Sequence, residues 1–339
     1  MILRAAAVGL SLFAAEGAMA NPTYQLLQFD DLEGWADDNH QEAMDVFLST
    51  CGDMRDPDWA SLCDVAQSGQ EARGFFERFF TPVLIDDGND ALFTGYYEPE
   101  LRGSLTRGGP YQYPLYRLPP NPSRLSRREI EETNAFEGQG LEIAWIDDAV
   151  DVFFLQVQGS GRVKLDDGSV IRVGYGGANG REYSSVGRAL VERGVYQAHQ
   201  VSADVIRNWV RRNGDVGREL LWTNESFVFF REVNEVPADK GPLGAMNRSV
   251  TPMRTVAIDP SYIPYGAPVW IEKNGADPLN RLMVAQDTGS AIRGSQRADI
   301  FFGTGDRAGR DAGRIKDGGR LVVLMPLQSA YALLPDVIE

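Results

Sequence analysis

The sequence predicts a mainly β protein with some helices, and three observations carry that reading. Glycine is plentiful, 36 of 339 residues, and is spread along the chain rather than gathered in runs, as in a turn-rich fold. Short apolar and β-branched segments separated by turn residues fill the last third. Helical periodicity is confined to limited stretches, one early in the chain and one after residue 185. At 339 residues, 43% hydrophobic and 24% charged, the chain has the composition of a globular protein and the length for two domains.

Residues 1–20 read as an export signal: Arg4, an apolar run from Ala5 to Ala15, and the small-residue cleavage site Ala18-Met19-Ala20. The run is too short to span a bilayer, and no later stretch is long and apolar enough to do so. No cysteine lies near the cleavage point, so a lipid-anchored N-terminus is not expected. Beyond it, Gln41 to Thr50 places Ala43, Met44, Phe47 and Leu48 on one helical face. A second helix is expected from about Gln70 to Phe80, with Phe75, Phe76, Phe79 and Phe80 as its apolar side. Strands begin at Ala91 to Tyr97. Pro110 to Pro122 reads as an irregular crossing between units. Val152 to Val157 reads as an apolar strand. Arg162 to Leu165 and Ser169 to Val173 form a hairpin about Asp167-Gly168. Ser185 caps a helix to Arg193, and Ser202 caps another to about Arg212, each stopped by a glycine. The remaining strands are Phe227 to Val233, Val256 to Ile258, Pro268 to Ile271, Leu282 to Ala285, Ile300 to Phe302 and Leu321 to Leu324, with little room for helices.

Composition narrows the chemistry. A net charge of -15 without a Lys/Arg run disfavours nucleic acid and anionic membrane as partners. The two histidines, His40 and His199, have no Ser or Cys motif beside them, which disfavours a Ser-His-Asp enzyme and a His-rich metal site. Cys51 and Cys63 would sit in an oxidising compartment, and a disulfide between them is the preferred reading. No metal or cofactor is expected. Acid–base chemistry must then come from carboxylates.

The densest cluster of candidates runs from Met283 to Gly305. An apolar strand ends at Asp287, a loop with Gly289 and Gly294 follows, and a second strand begins at Asp299. Asp259 ends the strand Val256-Ala257-Ile258. Rigid strand ends hold acids well, but aspartate also favours turns and caps. On the residues alone, the chain is a β-rich enzyme or binding domain with acidic strand ends.

Several separated motifs resemble the lytic transglycosylase A family of peptidoglycan-cleaving enzymes. They are Phe93-Thr94-Gly95-Tyr96-Tyr97, Gln156-Val157-Gln158-Gly159-Ser160-Gly161, Tyr175 to Gly187, Asn224 to Phe230, Val256 to Gly266, and Asp287 to Asp299. The last two resemble the three-aspartate domain (residues 256–305), named for Asp259, Asp287 and Asp299. The resemblance implies two lobes with a groove between them. The larger is a double-psi β-barrel built from residues 21–100 and 225–339, and the smaller is a β-rich substrate-binding domain inserted at 101–224. It implies non-hydrolytic cleavage of the β-1,4 bond between N-acetylmuramic acid and N-acetylglucosamine, leaving a 1,6-anhydro ring. Asp299 would be the single acid/base, Asp287 its supporting partner, and Asp259 either functional or a turn residue. Asp299 needs a raised pKa, which Ile300, Phe301 and Phe302 could supply by desolvation and Asp287 by repulsion. Sugar contacts are expected from Tyr96, Tyr97, Gln158, Gly159, Ser160, Tyr175, Asn179 and Tyr183. A periplasmic location follows, with outer-membrane association left open, and cell-wall synthesis or division proteins are the partners such an enzyme would meet. Two rivals stand beside this reading. One is a water-using muramidase that recruits Glu98, Glu100 or Asp287 as second carboxylate. The other is a non-catalytic peptidoglycan-binding module.

Overall fold

A computed structural model describes residues 22–54, 56–121 and 124–333, so the export signal expected at 1–20 lies outside the described residues. Three strands open the chain: β1 (Thr23–Leu26), β2 (Phe80–Asp86) and β3 (Leu92–Glu98). Six follow: β4 (Glu100–Ser104), β5 (Tyr113–Tyr116), β6 (Glu142–Ile146), β7 (Gly161–Leu165), β8 (Val170–Ala178) and β9 (Val228–Glu232). Six close it: β10 (Thr255–Ala257), β11 (Pro268–Lys273), β12 (Leu279–Asp287), β13 (Arg297–Thr304), β14 (Lys316–Asp317) and β15 (Gly319–Pro326).

The first and last groups form one sheet in the order β1-β2-β15-β11-β12-β10-β13-β3-β14, and the middle group forms a second, β5-β6-β4-β7-β8-β9. A bridge between Arg117 and Phe230 brings the ends of the second sheet together, so it nearly closes on itself. The molecule is therefore mainly β in two units, as the sequence predicts. One boundary differs. Strand β9, which the sequence places in the larger unit, pairs with β8, so the smaller sheet runs to Glu232 rather than ending at Asn224.

The larger sheet buries its core against three helices: α1 (His40–Thr50), α2 (Pro57–Gln67) and α3 (Ala72–Phe79). Phe47, Phe75, Phe76 and Phe80 pack edge to face at centroid distances of 5.4 to 6.2 Å. The expected second helix stops one residue early, because Phe80 already belongs to β2. Helix α2 has no counterpart among the helices the sequence predicts. Asp56 caps it, Pro57 opens it, and Cys63 on it is bonded to Cys51 at the end of α1, with 5.3 Å between the Cα atoms.

The smaller unit carries α4 (Arg127–Thr133), α5 (Ala149–Gln158), α6 (Val186–Glu192), α7 (Ala203–Arg212) and α8 (Gly214–Leu221). Residues 152–157, expected as a strand, are the helix α5. Its Val152 and Leu155 pack on the sheet while Val150, Phe153 and Phe154 pack on α6 to α8. A helix buried on both sides is apolar all round, which hides the 3.6-residue period. Its ends do carry helix signals, since Asp148 accepts the Val150 N–H and Gly159 closes it at φ 77°. The proline-rich crossing contributes β5, and Gly214 begins α8 rather than ending a helical region. In the last third, α9 (Gly305–Ala312) occupies a place where no helix is expected. Gly95 explains its seat on β3, since a Cβ there would lie 2.7 Å from the Ala312 Cα. A short α10 (Leu327–Tyr331) follows β15.

Candidate active site

Four neighbouring strands of the larger sheet build the site, in the order β12, β10, β13, β3. Their register makes one rung: Asp287 is opposite Ala257, Ala257 opposite Asp299, and Asp299 opposite Thr94. Adjacent strands are about 4.8 Å apart, so the two aspartates sit roughly 10 Å apart at Cα, with a single alanine between. A bulge aligns them. The pairing slips between Val256 and Ala257, so that Asp287 rather than Gln286 comes opposite Ala257. The displaced Gln286 is buried and anchored by donating to the hydroxyls of Ser49 (3.1 Å) and Thr50 (3.3 Å) on α1.

Asp299 is the third residue of β13, not its first as the sequence suggested. Strand alternation puts Arg297, Asp299 and Phe301 on the cleft face with Thr94 and Tyr96 of β3. Ile300 belongs to the opposite core, and Phe302 lies near Gly95 on the α9 side, so neither is an immediate apolar wall for Asp299. The Thr94 hydroxyl donates to Asp299 Oδ1 at 2.5 Å and accepts from Arg297 Nη2 at 2.8 Å. Among the described residues Oδ2 of Asp299 has no protein donor, and Asp299 lines the cleft. Burial raises the carboxyl's pKa, and the Thr94 and Arg297 contributions pull it back only in part, so it stays above the ordinary aspartate value.

Asp287 is more heavily engaged. Its Oδ1 accepts the N–H groups of Ala245 (3.0 Å) and Thr288 (2.9 Å), and its Oδ2 accepts the Tyr96 hydroxyl (2.8 Å). Burial nonetheless pushes its pKa to about 6, with the charge of Asp299 adding to the rise. Asp259 lies apart from the cleft lining. Its Oδ1 accepts Ser261 N–H at 3.0 Å and its Oδ2 accepts Gly294 N–H at 2.9 Å. Burial works against ionisation there, but those donors and Arg293 outweigh it and hold the pKa below the ordinary value. Asp259 thus ties the end of β10 to the loop that enters β13.

The cleft lies between the two sheets. From the larger unit come Tyr96, Ala257, Asp287, Thr288, Ile292, Arg297 and Asp299; from the smaller come Arg127, Gln156, Val157, Gln158, Tyr183, Asn224 and Ser226. Of the expected sugar contacts, Tyr96, Gln158 and Tyr183 reach it. Tyr96 is buried and its hydroxyl is committed to Asp287, so it orients a carboxylate rather than offering an open face. Tyr97 accepts from Arg207 (2.9 Å), Gly159 closes α5, and Ser160 is buried; none of the three borders the cleft. Asn179 is also buried, donating to Leu125 and Glu225 carbonyls at 2.8 Å each, and Tyr175 is exposed on β8 away from the cleft.

Arg127 and Gln156 were not singled out as site residues by the sequence reading. Arg127 is buried, donates to the Asn224 (3.0 Å) and Ser226 (2.6 Å) carbonyls and to Gln156 Oε1 (2.6 Å), and packs on Phe153. Its grip fixes the Gln156 amide, leaving the NH2 group as a donor on the cleft side. Of the three carboxylates proposed for a hydrolase, Asp287 lines the cleft and the other two are placed elsewhere. Glu98 is fully buried between Arg162 (2.9 Å) and Arg172 (2.8 Å), and Glu100 pairs with Lys164 (3.0 Å).

Comparison with known proteins agrees with this arrangement. Residues 92–231 match the MltA specific insert domain, and residues 254–325 match the 3D domain. The chain is 36% identical over 267 residues to the membrane-bound lytic murein transglycosylase A of Vibrio cholerae, covering 74% of this chain and 71% of that one. It is 37% identical over 250 residues to the enzyme of the same name from Escherichia coli K12, covering 70% and 67%. Its fold is similar to a membrane-bound lytic murein transglycosylase from Agrobacterium tumefaciens, with TM-score 0.82 and 32% identity over 92% of this chain and 100% of that one. It is also similar to Escherichia coli MltA with bound chitohexaose, with TM-score 0.71 and 31% identity over 87% and 90% of the two chains.

Proposed function

The chain belongs to the lytic murein transglycosylase A family, enzymes that act on peptidoglycan, and we propose that Asp299 is the single acid/base of a non-hydrolytic cleavage. The observation that carries this reading is the asymmetry of the two aspartates. Burial raises the pKa of both, but Asp287 receives three donors, whereas Asp299 receives one and keeps its other oxygen free at the cleft. A raised pKa favours the protonated carboxyl, the form that can donate to a leaving oxygen.

The substrate is a glycan strand laid along the cleft, between the residues 100–232 unit and the larger sheet; the chitohexaose bound to the Escherichia coli neighbour supports a sugar chain as ligand. Protonated Asp299 gives its proton to the glycosidic oxygen as the bond from C1 breaks. The muramic 6-hydroxyl then bonds to C1 and returns its proton to ionised Asp299. No water enters, one 1,6-anhydro end forms, and the enzyme regains its starting state. Asp287, held by Tyr96, Ala245 and Thr288, orients the sugar or stabilises positive charge at C1. Gln156 and Gln158 offer side-chain amides to the ring substituents. A two-carboxylate hydrolase finds less support, because Glu98 is sealed in an ion cluster, Glu100 lies outside the cleft lining, and Asp287, which borders the cleft, has both oxygens engaged by donors. The export signal read at residues 1–20 supports a periplasmic location for the working enzyme.

The test is mass spectrometry of purified peptidoglycan digested by the protein beside Asp299→Ala. Muropeptides one water lighter than reducing forms, absent from the variant digest, are expected. Reducing-end products would replace this mechanism with hydrolysis. Pelleting on the sacculus without any product would leave a binding module.

A further inference from the structure

The cleft does not end at the rung of aspartates. Tyr183 and Ala291, which both line it, also line a second and more open pocket against α6. Its walls carry Arg188, Glu192 and Arg193 with the Ser184 and Thr223 side chains. The two guanidinium groups differ from several of their neighbours. Arg181 pairs with Glu225 (3.4 Å), Arg207 with Asp204 (3.4 Å) and Arg211 with Asp148 (2.7 Å). Arg188 and Arg193 have no acid within ion-pairing distance among the described residues, although the chain has 15 more acidic than basic groups. In so anionic a molecule, two unpaired cations beside a substrate channel mark a place kept for an external anion.

We propose that this pocket binds the carboxylates of the peptide stem carried by muramic acid, with Arg188 and Arg193 as the anion ligands. The inference rests on the glycan-cleaving reading of the adjoining cleft. In an intact strand the sugars carry no charge, because each muramic lactyl carboxyl is held in the amide to its stem, so the cationic pair has no partner on the glycan itself, whereas a stem brings carboxylates at every second sugar. A stem also carries an amine, and Glu192 beside the two arginines supplies its counter-charge. The pocket lacks the flat aromatic lining that a further sugar would use, since Tyr183 at its mouth is its one ring. Arginine suits the task because its fork takes a carboxylate through two hydrogen bonds.

The experiment compares two substrates, intact sacculi and the same strands stripped of stems by an amidase with the freed lactyl carboxyls capped as methylamides, using wild type and the double variant Arg188→Gln, Arg193→Gln. Both residues are exposed, so the variant is expected to fold. On stem-bearing strands kcat/KM is expected to fall roughly tenfold, the scale of one charge-assisted hydrogen bond lost. On stripped strands it stays at the wild-type value, and raising the salt concentration narrows the wild-type preference for stems. An equal loss on both substrates would make the pocket a sugar site, and no loss on either would leave the arginines idle; each overturns the proposal. If wild type releases nothing from either substrate, the lyase reading itself falls and takes this inference with it.

Discussion

Replacing Asp287 by asparagine should stabilise the protein, and only above a certain pH. The side chain can be exchanged without loss of contacts. Asparagine Oδ1 can accept the Ala245 and Thr288 N–H groups, and Nδ2 can donate to the Tyr96 hydroxyl, which accepts as readily as it donates. What changes is the cost of ionisation. The pKa of Asp287 is raised from 3.8 to about 6, so the native state holds its proton more tightly than the unfolded chain does. Between those two values the native state binds more protons, and stability falls as pH rises. A rise of this size corresponds to about 3 kcal/mol, which water in the cleft reduces to roughly 1–3 kcal/mol. Wild type and Asp287→Asn should therefore unfold with similar free energies near pH 4. At pH 7.5 the variant should be the more stable by that amount. Urea unfolding across this range measures the difference directly. A gap that does not widen with pH would refute a raised native pKa, and with it the idea that the site stores destabilisation in a buried charge.

Two further outcomes follow from the same geometry. Thr94→Val removes the hydroxyl that donates to Asp299 and favours its ionised form, so the alkaline limb of the kcat profile should move to higher pH; a limb that stays or moves down would detach this limb from Asp299. Glu98→Gln should cost about 3–5 kcal/mol in urea unfolding, because it leaves the guanidinium groups of Arg162 and Arg172 buried beside a neutral amide; a loss under 1 kcal/mol would mean that the cluster relaxes to water.

Much of the site was legible because β-structure follows a period of two. Once β3 and β13 are read as strands, Thr94 and Tyr96 share a face, as do Arg297, Asp299 and Phe301. That alternation alone would have nominated Thr94 and Arg297 as partners of the acid, and would have removed Ile300 and Phe302 from its surroundings. The bulge at Gln286 was not legible, since a single-residue slip in pairing leaves no mark on composition, yet it alone brings Asp287 onto the rung of Asp299. The donor from Ala245 was hidden for a different reason. It is a backbone N–H, available at any residue except proline, and only the path of the segment returning from the smaller unit aims it at Asp287. The same segment explains why Glu98 matters to a site it never touches. Arg162 and Arg172, which hold Glu98 at the exit from β3, also donate to the Lys240 carbonyl at 3.1 and 2.7 Å, five residues before Ala245. Both chain crossings between the units are thus tied to one buried carboxylate. The residues that do chemistry announce themselves by type, whereas those that hold them in register act through pairing, bulges and carbonyls, which a sequence does not print.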